Sequence, residues 1–275
     1  MKRTLTILFL ILATLGCQAQ TGSYDELMAE AQTLFKQKEY AKSSECYEKA
    51  ITLLKETGRD SLIPTVRNFV AINYLYMGVN AMDNKDFPTA KEHLEKALAN
   101  AKPEGKAYYM IYSWMGQWHS VQSLNIRMEN GDLEQAIELS LEAERYFDLA
   151  KAPEKRLREQ TSRANMLHSL LKNDEAESLL LQIVSECEGN TERNLLQGKA
   201  LYTLGSIEME SERFQLALPH LEKGYNLCKA DPTKDAQIYA QLLAQKLTNL
   251  YTSDIPDAEK AALWQQRTDE LKNND

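Results

Sequence analysis

A motif that returns at intervals of 47, 46, 40 and 41 residues constrains this chain more than any other feature. Tyr40, Phe87, Leu133, Asn173 and Phe214 are each followed three residues later by a small residue, namely Ser43, Ala90, Ala136, Ala176 and Ala217. Seven residues after each anchor come Tyr47, Leu94, Ser140, Leu180 and Leu221, and ten residues after it come Ala50, Ala97, Ala143, Ile183 and Gly224. These offsets trace one face of a helix. The alternation of large and small suits two antiparallel helices in close contact, where small residues let the backbones approach and large ones fill the gaps beside them. Repetition on this scale means stacked units, each burying its apolar face against the next.

The first helix of a pair carries its own contact point. Gly78 lies nine residues before Phe87 and Gly205 nine before Phe214, each preceded by an apolar residue, Met77 and Leu204. Between the paired helices the sequence reads Asn84-Lys85-Asp86, Asn130-Gly131-Asp132, Lys172-Asn173-Asp174 and Glu210-Ser211-Glu212. Such turns let Asp or Ser cap the helix that follows. Six of the seven prolines fall at or near expected helix ends. Pro219 falls inside the second helix of its unit, where a kink or a late helix start is expected. With eleven glycines and seven prolines the chain lacks the turns an all-β fold needs, and no stretch reads as a flexible linker.

Leu204-Gly205, Phe214, Ala217 and Leu221, together with Phe87, Ala90, Leu94 and Ala97, resemble the tetratricopeptide repeat signature, over about residues 24 to 252. The anchor spacings exceed the usual 34-residue period, so some helices should be longer than in the short repeat. The resemblance implies an all-α fold, a right-handed α-α superhelix or solenoid of about six helical hairpins. These are expected near 24–57, 62–101, 105–150, 154–189, 193–230 and 233–272, within one domain spanning 24–275. The segment from Asp257 to Lys272 shows its helix only weakly and is expected to serve as a terminal cap.

The resemblance also implies a concave face lined mainly by the first helix of each pair, where a peptide or another protein binds. The matching positions are Trp118, Val121 and Asn125, then Arg158, Thr161, Asn165 and His168, then Lys199, Tyr202 and Ser206. The same residues would also suit a solvated helix face. Arg158 and Lys199 stand one repeat apart, as the basic pair of a carboxylate clamp does, but the accompanying asparagines are incomplete. Tyr108, Tyr109, Tyr112, Trp114 and Trp118 crowd onto one expected helix. Trp114 and Trp118, four apart, would share a face and could anchor a partner; packing between neighbouring helices is the competing reading. Tyr112, Met115 and His119 are assigned to the buried side.

The first residues describe an address. Lys2 and Arg3 precede an apolar run from Leu5 to Leu15, and small or polar residues follow, which is the pattern of an export signal over residues 1–19 with a short linker at 20–23. Eleven helical residues rise about 16 Å, roughly half a bilayer core, so the run is too short to span one. Two cleavage readings compete. Gly16-Cys17 resembles the end of a lipobox, which would lipidate Cys17, although Thr14 and Leu15 depart from that pattern. Cys17-Gln18-Ala19 before Gln20 instead suits a general signal peptidase. Either way the expected location is exported, periplasmic or outer-membrane-associated. Cys46, Cys187 and Cys228 remain as an odd number of thiols in a compartment that permits disulfides, so at least one should be unpaired, and all three suit buried helix positions.

Charge and motifs bound the function. The formal charge of −8 becomes −10 once Lys2 and Arg3 leave with residues 1–19, which disfavours nucleic acid as a partner. No G-x-S-x-G elbow, H-E-x-x-H helix or phosphate-cradling glycine loop is present, and no catalytic residue, metal site or cofactor is assigned. His93 and His220 occupy equivalent repeat positions, each in a His-Leu-Glu-Lys segment, which makes them scaffold. The expected function is a protein-binding scaffold or adaptor of the bacterial cell envelope, not an enzyme. The alternatives are an envelope-assembly or uptake-accessory lipoprotein and a helical repeat that binds a ligand or carbohydrate. The candidate partner-binding residues are Trp114, Trp118, Asn125, Arg158, Asn165, His168, Lys199 and Tyr202.

Overall fold

The structure is a computed structural model that describes residues 23–272. The expected export segment, with Cys17, lies outside the described residues. Ser23, placed above in the linker, belongs to the first helix as its cap: its Oγ accepts from the Glu26 amide while the Glu26 carboxylate accepts from the Ser23 amide at 2.7 Å.

The described residues form twelve α-helices and no strand. They are α1 (Tyr24–Lys36), α2 (Tyr40–Glu56), α3 (Ile63–Asp83), α4 (Phe87–Asn100), α5 (Lys106–Met128), α6 (Leu133–Leu149), α7 (Pro153–Ser169), α8 (Asn173–Cys187), α9 (Asn194–Glu210), α10 (Phe214–Ala230), α11 (Lys234–Asn249) and α12 (Ala258–Lys272). The five sequence anchors are the first residues of α2, α4, α6, α8 and α10. Every position at offsets three, seven and ten is buried, including Ser43, Ser140 and Gly224. The motif therefore marks the inner face of the second helix in each pair.

The turns inside the pairs share one geometry. Lys38, Lys85, Asn130, Leu171 and Glu212 have φ of 63°, 60°, 52°, 60° and 58°, in the left-handed region. The next amide then reaches back to a carbonyl of the last helical turn, as in Glu39 N to Leu34 O at 2.9 Å and Arg213 N to Glu208 O at 2.8 Å. This is the Schellman ending, which satisfies carbonyls the helix leaves open. Asp86 caps α4 and Asp132 caps α6, as expected of those turns. Asp174 does not cap: it lies in the first turn of α8, where its charge complements the helix dipole, and α10 opens at Arg213 without a side-chain cap. The turn between α5 and α6 holds one residue more than the other four, a point that matters for the site.

Pro219 does not delay its helix. α10 begins at Phe214 and continues past it. Pro219 and Gln215 both lie on the exposed side, where water can satisfy the carbonyl left without its amide partner.

Contacts gather the described residues into two units, one ending at Ile111 and the other beginning at Tyr112, inside α5. In the first unit, Tyr47, Ile51, Leu54, Val66 and Val70 form the centre of a core that joins α1, α2 and α3. Gly78 lies against α4, where a Cβ would stand 3.0 Å from Leu94 Cγ and 3.3 Å from the Ala90 carbonyl. In the second unit, one core runs from Leu157 to Ile207 and another from Ala217 to Trp264. The weakly patterned last helix is fully part of the latter. Trp264 is 5 % exposed and meets Tyr225 edge to face at 4.9 Å. Before it, α11 runs on into a wider turn, Leu250–Asp254, whose end is tied by Ile255 N to Leu250 O at 2.9 Å. Cys46, Cys187 and Cys228 are all buried and unpaired, the small-apolar role expected of them.

Candidate functional site

Within the second unit the first helices meet one another: α9 packs against both α7 and α11. The second helices α8 and α10 pack on the first helices that flank them in sequence. Neighbouring repeats thus approach closely along α7, α9 and α11, and side chains on that face can touch from one repeat to the next.

Four residues do so in series across α9 and α11. Lys199 Nζ lies 4.9 Å from the centre of the Tyr239 ring, Tyr239 meets Tyr202 edge to face at 5.8 Å, and Lys246 Nζ lies 4.9 Å from the centre of the Tyr202 ring. Each cation faces the electron-rich side of a ring, an arrangement that gains strength when water is excluded. Water is partly excluded here. Burial pushes the Lys246 ammonium below its usual range, with Glu210 opposing the shift, and burial raises both tyrosines above theirs. Ile238 and Leu242 on α11 are large apolar residues left exposed, 39 % and 40 %.

A second set of contacts carries the face from α9 to α7. Thr203 Oγ1 donates to Asn165 Oδ1 at 2.9 Å. His168 stands between Asn173, 3.0 Å from its Nδ1, and Glu210, 3.4 Å from its Nε2. Glu210 therefore faces a histidine on one helix while easing the burial of a lysine on another. Arg158, near the start of α7, is exposed. Of the residues expected on this face, Lys199 and Tyr202 share one cluster; Asn165 and His168 reach α9 through other contacts. Thr161 turns inward and bonds its own helix at Leu157 O.

The expected positions on α5 shift by one. The extra turn residue brings Ser123, not Leu124, opposite the small residue of α6: Ser123 is 2 % exposed and donates to the Ala136 carbonyl at 2.7 Å. Counting from that contact, the equivalents of Lys199, Tyr202 and Ser206 on α5 are Gln117, Ser120 and Leu124, in place of Trp118, Val121 and Asn125. Contacts to α7 agree with the new register. Ser120 Oγ lies 2.6 Å from Glu159 Oε2, and Arg127 donates to Ser162 Oγ at 2.7 Å. Trp114, Trp118 and Asn125 are half-buried, and the edge of the Trp118 ring meets His119 at 4.8 Å. His119 stacks on Tyr146 of α6 at 5.2 Å, Tyr112 packs on the same ring, and Met115 is buried, as expected of that side.

Tyr239 and Lys246 were not among the expected site residues. The available signal was that α9 and α11 each carry a Lys and a Tyr three or seven apart on one side, Lys199 with Tyr202 and Tyr239 with Lys246. The equivalent histidines act as packing groups. His220 Nδ1 lies 2.8 Å from the buried Glu208 carboxylate, and His93 sits beside Tyr74 with its pKa lowered by burial and by Lys96.

No family model matches the sequence, and no curated protein matches it. Solved structures do. The crystal structure of BtubC (BKLC) from P. vanneervenii is 14 % identical, with 92 % of each chain covered and a TM-score of 0.54. The C-terminal part of a TPR repeat-containing protein from Cytophaga hutchinsonii is 16 % identical over 90 % of this chain and 96 % of that one, with a TM-score of 0.44. The TPR2AB domain of yeast Sti1, solved in a pHSP90 complex, is 14 % identical over 81 % and 98 %, with a TM-score of 0.36. At such identities the likeness is one of fold, and the fold is an all-helical array of antiparallel hairpins.

Proposed function

We propose that this chain is a protein-binding scaffold of the bacterial cell envelope that holds a peptide or protein partner on the face formed by α7, α9 and α11. The observation that carries the reading is the series Lys199, Tyr239, Tyr202 and Lys246. Two cations there are held on rings before any partner arrives, and Lys246 is partly stripped of water, so a partner carboxylate would meet donors already oriented. Ile238 and Leu242 supply apolar area beside them. The resemblance to tetratricopeptide repeats supports the same face, and the role is binding without catalysis.

Export belongs to the same proposal and rests on the basic start and apolar run of residues 1–19. Among the described residues no helix is long and apolar enough to cross a membrane. Attachment would thus fall to a lipid on Cys17, while cleavage after Ala19 would release the chain.

The binding reading is tested by selecting peptides on the purified protein from a random display library and measuring their affinity by fluorescence anisotropy. Acidic peptides are expected to enrich, and Lys246→Met or Tyr239→Ala should weaken them about ten-fold, the scale of one desolvated cation–ring contact, with the helical circular dichroism unchanged. Peptides that bind both variants as tightly as the parent would remove the site from this face. For the address, the mass of the N-terminal peptide from cell fractions separates acylated Cys17 from free Gln20; an intact Met1 in the cytosolic fraction would defeat export.

A further inference from the structure

The first unit contains a pocket that the face described above does not use. It lies between α1 and α3, with a volume of about 230 Å³, and its walls are Phe35, Tyr47, Phe69 and Ile72. The walls are braced. Tyr47 stacks on Phe69 at 5.3 Å, and Phe35 meets Tyr40 and Tyr76 edge-on at 5.4 and 5.5 Å. Gln32 and Lys36 stand exposed at the rim.

Asn73 also lines this pocket and is fully buried, 0 % exposed. Its orientation follows from a chain of bonds. Ser43 Oγ gives its single proton to the Ala31 carbonyl at 2.8 Å, so it can only accept from Asn73, whose Nδ2 lies 3.0 Å away. That places the Asn73 Oδ1 on the other side of the amide, and it has no hydrogen-bond partner. A buried carbonyl oxygen without a donor is rare in folded proteins, because it has given up water for nothing.

We infer that this pocket receives one aromatic ring bearing a hydrogen-bond donor, the tyrosine or tryptophan side chain of a partner polypeptide, with its O–H or N–H directed to Asn73. Size agrees: a cavity of roughly 150 Å³ with apolar walls holds benzene, so this one has room for a phenol or an indole. A phenylalanine would fill the walls and leave the acceptor unpaired. Residues 1–22 and 273–275 contain no tyrosine or tryptophan, so none of them supplies the ring. The exposed Gln32 and Lys36 are placed to bond the backbone on either side of such a residue. This inference stands independently of the face on α7, α9 and α11, and either can fail alone.

The test uses the full chain with ¹³C-labelled isoleucine methyl groups, titrated with N-acetyl-tyrosinamide, its O-methyl ether and free p-cresol. The Ile72 methyl signal is expected to shift saturably with N-acetyl-tyrosinamide, at an affinity about five-fold or more above that of the ether, the worth of one buried hydrogen bond. Asn73→Leu should erase that preference while leaving the ether's affinity in place. Should that variant not fold, Ile72→Trp, which fills the cavity from its wall, is expected to abolish the binding, read by isothermal titration calorimetry because the reporter methyl is lost. Equal affinity for tyrosinamide and ether, or no response at Ile72, overturns the assignment; a response to p-cresol alone overturns the polypeptide as its source.

Discussion

Replacing Gly205 with alanine tests whether the recurring small residue is there for close approach. An alanine methyl at this position would lie 2.5 Å from Leu221 Cδ2 and 2.7 Å from Leu221 Cγ. Leu221 is fully buried, so it has no free direction in which to retreat. Two effects oppose each other. Alanine is the better helix former by about 1 kcal/mol, while forcing a methyl into a packed core costs about 1–3 kcal/mol. With contacts this short the upper part of the second range applies, and the expected net loss is about 1–2 kcal/mol. Urea unfolding followed by circular dichroism at 222 nm reads it as a lower midpoint. Leu221→Ala alone should cost about 2–5 kcal/mol through its cavity. The double variant should then be at least about 1 kcal/mol more stable than the sum of the two losses, because the new methyl partly refills the space. A Gly205→Ala protein more stable than the parent, or strictly additive losses, would falsify the close-approach account. Gly78→Ala is the internal control: its methyl would stand 3.0 Å or more from its neighbours, and the change should be much milder.

Leu171 combines 82 % exposure with a φ of 60°, so Leu171→Gly relieves left-handed strain and loses little packing; the thermal midpoint should rise by the equivalent of about 0.5–1 kcal/mol. Burial pushes the Cys187 thiol up to about 11 and the Cys228 thiol up to about 12, from an ordinary 9.0. These folded pKa values are raised, so the stability they confer is fully present below pH 9 and is lost as pH climbs from there toward 11 and 12. Urea midpoints should accordingly fall above pH 9, less steeply in Cys187→Ala/Cys228→Ala, and a thiol reagent at pH 8 should label neither cysteine until the protein is unfolded.

The second helices were legible from the sequence because their signal is local. Tyr40, Phe87, Leu133, Asn173 and Phe214 open helices whose small residues sit at fixed offsets, and the helix they pack against is their immediate neighbour. The α5 register escaped the same reasoning. A single additional residue around Asn130-Gly131 moves the contact from Leu124 to Ser123, which only the hydrogen bond to Ala136 reveals. Lys199 and Tyr202 could be named because they fall on a family position. Their partners Tyr239 and Lys246 come from the next repeat, and pairing across repeats depends on how hairpins stack. The unpartnered oxygen of Asn73 is further still from sequence, since it follows from the direction in which Ser43 spends one proton.

The seat of Leu221 on Gly205 has a mechanical consequence. Leu221 lies directly on the Gly205 backbone, so α9 and α10 cannot slide or roll on each other there without driving that side chain into the helix it faces. The joints between hairpins are made differently, by polar and ring contacts where Asn165 meets Thr203 and where the lysines meet the tyrosines. A partner laid across α7, α9 and α11 would span two joints at once. It would gauge the pitch of the array along with its chemistry, and once seated it would act as a splint.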